Sequence, residues 1–268
     1  MRSISLATEK ILTHIDDHGI GWITFNNPAR HNALSLEMWQ GLADSLERLQ
    51  DDPGVRVALM SGAGGKAFIS GADISEFEEK RSSAAQKASY GKTAGAANRW
   101  LARFEKPLLA MIEGHCIGGG LATALAADVR FASPDSKFAI PAAKLGLGYD
   151  YDGIAKLARL VGPSRARDIL YSARTLGAED ALRIGLVDFV VPREGLRDEV
   201  VSYARRIAGN APLTVKAAKA AVTAFERGAR PDEVADVQRK VNACFDSTDY
   251  KEGRRAFMEK RPPVFRGE

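Results

Sequence analysis

Cysteine is scarce, with only Cys116 and Cys244 in 268 residues. Two thiols cannot supply the ligands of a metal cluster, and nothing in their placement suggests a disulfide framework. No metal site is expected, and a reduced, cytoplasmic setting is. Long apolar runs are also missing. Residues 1–10 contain no apolar core of signal-peptide length. The most apolar stretch, 107–127, is broken by Glu113, His115 and several glycines, which excludes a membrane span. An excess of one charge sign is absent too. The net charge is +4, from 38 basic and 34 acidic residues. The bases are interleaved with acids, as in Arg103-Phe104-Glu105-Lys106, and no basic run alternates with aromatics, so nucleic acid is not an expected partner. A mild positive balance suits a small ligand that carries several phosphates.

What is present is an ordinary globular composition, 45% hydrophobic and 27% charged. The length suits one large core with an appendage, or two small domains. Ile11, Thr13 and Ile15, then Ile20, Trp22 and Thr24, alternate around Asp17-His18-Gly19 and predict a hairpin over 11–25. Ser35 is a good N-cap for a helix to about residue 50, with Leu36, Trp39, Leu42, Leu46 and Leu49 at core spacing. Strands are expected at 55–60, 108–112, 128–132, 137–140 and 186–191, with a turn at 113–117. Residues 76–99 are polar and alanine-rich, and predict only a marginal helix. Strand–helix units thus fill 1–192, and a helical region occupies 193–268.

Two glycine turns carry the chemistry. Gly118, Gly119 and Gly120 directly precede an alanine-rich helix expected over 118–127. Glycines there leave the first helical N–H groups bare, and the helix dipole favours negative charge beside them. The other turn is Phe68-Ile69-Ser70-Gly71-Ala72-Asp73-Ile74. Glycine spacing alone also fits the lesser alternative of a tight strand-to-helix packing turn.

Taken together, the two turns resemble the signature of the crotonase (enoyl-CoA hydratase/isomerase) superfamily. That signature is a Gly-Ala-Asp-Ile loop and, further on, an Asn-Gly-x-x-x-Gly-Gly-Gly turn, here Glu113-Gly114-His115-Cys116-Ile117-Gly118-Gly119-Gly120. The resemblance runs from Asn27-Pro28-Ala29-Arg30-His31-Asn32-Ala33-Leu34 to Phe257-Met258-Glu259-Lys260-Arg261. It implies an α/β fold, a spiral of ββα units followed by a C-terminal helical trimerisation region. It also implies a homotrimer or a hexamer built as a dimer of trimers. The substrate would be an acyl-CoA thioester, with no cofactor beyond the coenzyme A that the substrate carries. The N–H groups of Ala72 and Gly119 would form an oxyanion hole for the thioester oxygen. Arg30, Lys66, Ser70, Gly71, Ala72 and Gly118 would contact CoA, and Phe257 and Lys260 would reach the CoA of an adjacent subunit.

The sequence then departs from the family's hydratases. Those enzymes use two glutamates as general acid and base, and the matching positions here are Ala122 and Ala142. Methyl groups cannot move protons, so the two-glutamate hydration scheme and the one-glutamate isomerase scheme are both unavailable. The loop 145–153 supplies ionisable groups instead. Asp150 matches an aspartate of dienoyl-CoA isomerases and chlorobenzoyl-CoA dehalogenases, and Tyr149 matches a tyrosine of methylmalonyl-CoA decarboxylases. The expectation is an enzyme in which Asp150 transfers a proton and Tyr149 orients or donates, by isomerase, decarboxylase or bond-cleaving chemistry. A catalytically silent acyl-CoA-binding subunit is the alternative. A partly apolar pocket around Asp150 would favour the catalytic role by raising its pKa, while Asp150 also fits as a loop brace, Asp152 as the N-cap of the next helix, and Asp73 as a brace of its own loop. His115 and Cys116 read as structural residues.

Overall fold

Each short apolar run in the middle of the chain is followed, after a tight turn, by a second and even shorter one. The computed structural model describes residues 1–73, 76 and 84–268, the last of these with 84–90 as backbone only. In it these paired runs feed two different sheets. Strand β4 (Val57–Gly62), β6 (Leu108–Ile112) and β8 (Val129–Ala132) lie in the larger sheet. Their partners β5 (Ala67–Ile69), β7 (His115–Ile117) and β9 (Lys137–Ala139) lie in the smaller one. Repetition of this step, with helices between the pairs, makes the spiral of ββα units.

The larger sheet begins with β1 (Arg2–Ile4), β2 (Ile11–Ile15) and β3 (Ile20–Phe25), which pair antiparallel. From β3 onward the sheet is parallel, in the order β3-β4-β6-β8-β11, where β11 is Phe189–Val190. The smaller sheet has β5, β7 and β9 parallel, closed by antiparallel β10 (Leu176–Gly177). All five residues of β6 are buried, as expected where a parallel sheet is covered on both faces.

Helix α1 (Leu36–Asp51) covers one face. The Ser35 hydroxyl accepts from the Met38 N–H at 3.3 Å, and the Glu76 carboxylate accepts from the Leu36 N–H at 2.8 Å. Lys106 closes the other end, donating to the carbonyls of Leu49 and Asp52. Leu42, Leu46 and Leu49 are fully buried there, each contributing about 1.5–3 kcal/mol. Helix α2 (Ala84–Arg103) packs on α1 and buries Ala97 and Leu101. Residues 77–83 of the helix expected over 76–99 lie outside the described residues.

The remaining α-helices given by the described residues are α3 (Gly119–Ala124), α4 (Tyr151–Val161), α5 (Pro163–Ser172), α6 (Ala178–Arg183), α7 (Arg193–Ala208), α8 (Pro212–Glu226), α9 (Pro231–Asp246) and α10 (Thr248–Glu259). Helix α7 seals the second face of the larger sheet. Leu196, Val200 and Ala204 pack with Ile20, Trp22, Val57, Leu59, Leu109, Met111 and Phe131. A boundary after 192 therefore falls between this sheet and the helix that covers it.

Several expected elements shift. Residues 113–117 hold strand β7 rather than only a turn, because three-residue strands carry too few positions to show an alternation. The strand expected at 55–60 runs Val57–Gly62, and that at 186–191 shortens to Phe189–Val190. The helix after the glycines ends at Ala124, where the Ala126 amide turns back to the Thr123 carbonyl. Helix α4 begins at Tyr151, so Asp150 holds the N-cap position and Asp152 lies in the first turn. An acid in that turn still faces the positive end of the dipole, which is why the sequence signal for a cap there misled by two residues. Among the described residues no helix is long and apolar enough to cross a membrane.

Candidate active site

The two glycine turns leave the carboxyl ends of neighbouring parallel strands, β5 and β7, whose register pairs Ala67 with His115 and Ile69 with Cys116. Open α/β sheets collect ligands just beyond strand carboxyl ends. The glycines have different jobs. Gly71 (φ +126°) and Gly118 (φ +54°) adopt backbone conformations that side chains resist. Gly120 is a packing glycine, since a Cβ there would come within 2.3 Å of the Ile69 carbonyl. At Gly119 a Cβ would meet Leu34 at 3.6 Å and Trp39 at 4.0 Å, ordinary contacts. The neighbouring protein therefore leaves room above the Gly119 backbone.

Around Ala72 several backbone groups are tied to segment 31–34. The Ser70 N–H donates to the His31 carbonyl (3.1 Å), the Leu34 N–H to the Gly71 carbonyl (2.8 Å), and the Asp73 N–H to the Leu34 carbonyl (2.9 Å). Segment 31–34 thus lies alongside 70–73 as a short parallel bridge, with Ala72 opposite Leu34. The Ala72 N–H takes no part in it. Gly119 is the first residue of α3, so its N–H has no partner one turn back. Within the described residues neither amide has a hydrogen-bond partner, and both residues are half-buried, hence reachable. By contrast, the Gly118 N–H donates to the Ala139 carbonyl at 2.8 Å. The amides of Ser70 and Gly118 are therefore committed to the protein.

Asp73 braces this turn through Arg30, whose guanidinium donates to both carboxylate oxygens at 3.0 and 3.1 Å. The Asp73 side chain is only 10% exposed, whereas that of Arg30 is 55% exposed. Arg30 therefore joins the turn 28–30 to the glycine turn and still presents charge to solvent. Lys66 is exposed on the β4–β5 turn, at the opposite end of β5 from Ala72. His31 and His115 are both exposed, their rings tilted with centroids 6.0 Å apart. Phe257 is exposed on α10 and Lys260 just past its end, and Phe257 lines a groove among the C-terminal helices rather than the glycine turns.

Tyr149 and Asp150 follow a short 3-10 turn, Pro141–Leu145. A Cβ on Gly118 would sit 3.6 Å from the Tyr149 hydroxyl, so that hydroxyl stands over the glycine turn. Tyr149 packs against the main core, and burial pushes its phenol above the usual tyrosine range. It is therefore a neutral O–H donor at neutral pH. Asp150 is exposed in the single chain, not enclosed in an apolar pocket, and its side chain makes no cap hydrogen bond. Ala122 is half-buried on α3 and Ala142 is buried in the 3-10 turn. Cys116 is fully buried, and desolvation drives its thiol far above the ordinary range, which suits a core residue.

Sequence reasoning missed the supports of this site. Asn32, in the left-handed region at φ +56°, is fully buried beneath the turn. Leu34 and Trp39 flank Gly119. Arg193, at the start of α7, reaches all three turns that join paired strands, donating to the Gly65 carbonyl and pairing with Glu113 and Asp135. Asn32 and Leu34 stood in a quoted motif, but no sequence signal marked their geometry.

Comparison with known proteins agrees with this architecture. The family model described as enoyl-CoA hydratase/isomerase matches residues 16–268. A crotonyl-CoA hydratase from Syntrophomonas wolfei is 34% identical over 97% of this chain and 99% of its own length. A carnitinyl-CoA dehydratase from Citrobacter koseri is 33% identical over 95% and 98%. Among solved structures, an enoyl-CoA hydratase/carnithine racemase from Magnetospirillum magneticum superposes with a TM-score of 0.90 at 35% identity, covering 98% of this chain and 97% of the other. With a parallel spiral core, paired glycine turns and these relatives along nearly its whole length, the chain belongs to the enoyl-CoA hydratase/isomerase family.

Proposed function

We propose that this protein is an acyl-CoA-processing enzyme that stabilises a thioester enolate or oxyanion with the N–H groups of Ala72 and Gly119, and that it is not a two-glutamate hydratase. The observation that carries the reading is that the Ala72 and Gly119 amides are unclaimed on adjacent glycine turns, while the amides of Ser70, Asp73 and Gly118 beside them are paired within the protein. Fixed dipoles of this kind need no reorganisation as charge develops, and each is typically worth about 3 kcal/mol of barrier. Names among the relatives point to hydration, whereas Ala122 and Ala142 offer no acid or base for it. In this reading Tyr149 orients or donates from above Gly118, and Asp150 transfers the proton. Isomerisation, decarboxylation and cleavage of a C–C or thioester bond all use such an enolate or oxyanion. Decarboxylation is favoured, because loss of CO2 creates the enolate without a base and leaves only one proton to deliver.

The same reading assigns the protein a homotrimer or a dimer of trimers in the cytoplasm, with Phe257 and Lys260 turned toward a neighbour's CoA. Phe225, Phe245, Phe257 and Met258 are exposed apolar side chains on α8–α10, beside an apolar groove of about 770 Å³. So much apolar surface on one region supports burial by another copy. Incubation with crotonyl-, methylmalonyl-, dienoyl- and aromatic acyl-CoA esters, followed by mass analysis of the products, tests the chemistry. Loss of CO2, isomerisation or cleavage is the expected result. Rapid hydration of crotonyl-CoA would overturn it, and acyl-CoA affinity without any product would mark a silent binding subunit.

A further inference from the structure

We propose that Asn32 is the positioning residue of this site, holding the turn in which the Ala72 amide stays unpaired. The inference rests on the reading of Ala72 as an oxyanion donor. Asn32 is fully buried and sits at φ +56°, a conformation uncommon for a residue with a side chain. Its side-chain oxygen accepts from the Asn27 N–H at 2.8 Å. Its side-chain nitrogen donates to the Ala63 carbonyl at 3.0 Å and the Ala67 carbonyl at 2.7 Å. Both amide hydrogens and the oxygen are therefore committed. These partners lie on three different pieces of backbone: the entry to segment 27–34, the turn after β4, and the first residue of β5.

The consequence reaches Ala72 through the bridge that Asn32 anchors. His31 and Leu34, on either side of Asn32, take up the amides of Ser70 and Asp73 and the carbonyl of Gly71. Ser70, Gly71 and Asp73 are thereby fixed by neighbours of Asn32, while Ala72 between them keeps its N–H unclaimed. Because β5 is only three residues long, a hold at Ala67 on its first residue also fixes where the turn begins. Asparagine suits the post: it tolerates the left-handed region and offers a donor and an acceptor on one planar group.

The test compares binding of an acyl-CoA thioester with that of its thioether analogue, which lacks the carbonyl oxygen, in wild type, Asn32→Asp and Asn32→Gly. Aspartate keeps the acceptor for Asn27 but faces the Ala63 and Ala67 carbonyls without a donor; glycine keeps the backbone conformation and loses the anchor. The expected result is a loss of most of the thioester-over-thioether preference, with thioether affinity unchanged and kcat lowered about a hundredfold, the scale of losing one oxyanion donor. A variant that loses melting temperature yet retains the preference shows a merely structural asparagine and overturns the proposal. Wild type without any thioester preference overturns the oxyanion reading itself. Hydrogen exchange on the wild type gives a check that needs no variant. The Asn32 side-chain amide should exchange slowly while the Ala72 N–H exchanges freely, and rapid exchange of the Asn32 group would show that the anchor is not held.

Discussion

Tyr149 and Asp150 sit side by side but in different surroundings, and those surroundings suggest different work. The Tyr149 phenol is held neutral by burial, so it can donate a hydrogen bond over Gly118 across the neutral and mildly alkaline range. Its raised pKa means this donor is present below the ordinary tyrosine value of about 10 and is lost only above it. Activity should therefore show no decline from Tyr149 ionisation below about pH 10, and Tyr149→Phe should remove any decline that a pH–rate profile shows above it. Asp150 is exposed and free to meet solvent or substrate. Replacing it with asparagine should leave CoA-ester affinity unchanged and lower turnover by about a hundredfold or more, the usual range for a proton-transfer group. Unchanged turnover in steady-state assays would remove Asp150 from the reaction. Both residues were legible as candidates because they lie in a polar loop just past an alanine where an acid was expected. Which aspartate starts α4 was not legible, since Asp150 and Asp152 are equivalent cap signals in sequence and only the backbone distinguishes them.

At the scale of elements, α1 and the hairpin of β2 and β3 were readable because sixteen- and five-residue segments are long enough to show a period. The smaller sheet was not readable, since its strands span two or three residues and are defined by partners distant in sequence. Leu46→Ala on α1 should cost about 2–5 kcal/mol, the range for deleting a fully buried leucine, measured by urea unfolding. The end of the same helix gives a pH signature. Burial holds Lys106 down at about 8, although Asp52 and Asp51 pull in the opposite direction. The unfolded lysine titrates near about 10.4, so between these values the unfolded chain binds more protons than the folded one. Stability should therefore rise with pH from about 8 to about 10.4, and Lys106→Met should lose that rise in melting temperature.

For the whole molecule, the two cysteines report on different layers. Cys116 is inert in the core, while Cys244 is half-buried, donates to the Lys240 carbonyl at 3.2 Å and lines the C-terminal groove. An uncharged maleimide should label Cys244 and spare Cys116 in the folded protein. If the groove is covered by another copy, labelling should slow as protein concentration rises across the association range seen by sedimentation. Fast labelling within a stable trimer would place the interface elsewhere. The general fold was legible through the two glycine turns and their likeness to a known family, because those turns need particular residues. The association of helices with the sheet was not, because α7 looks in sequence like the three helices after it.

That helix has a consequence for how the chain is made. Until Leu196, Val200 and Ala204 arrive, Trp22, Leu59, Met111 and Phe131 lack the helix that packs on them, and Arg193 has not yet tied together the turns that hold Gly65, Glu113 and Asp135. A nascent chain emerging from the ribosome would therefore carry an uncovered greasy sheet for most of its synthesis. Premature release before α7 should yield a product that chaperones hold or that precipitates, rather than a smaller working protein.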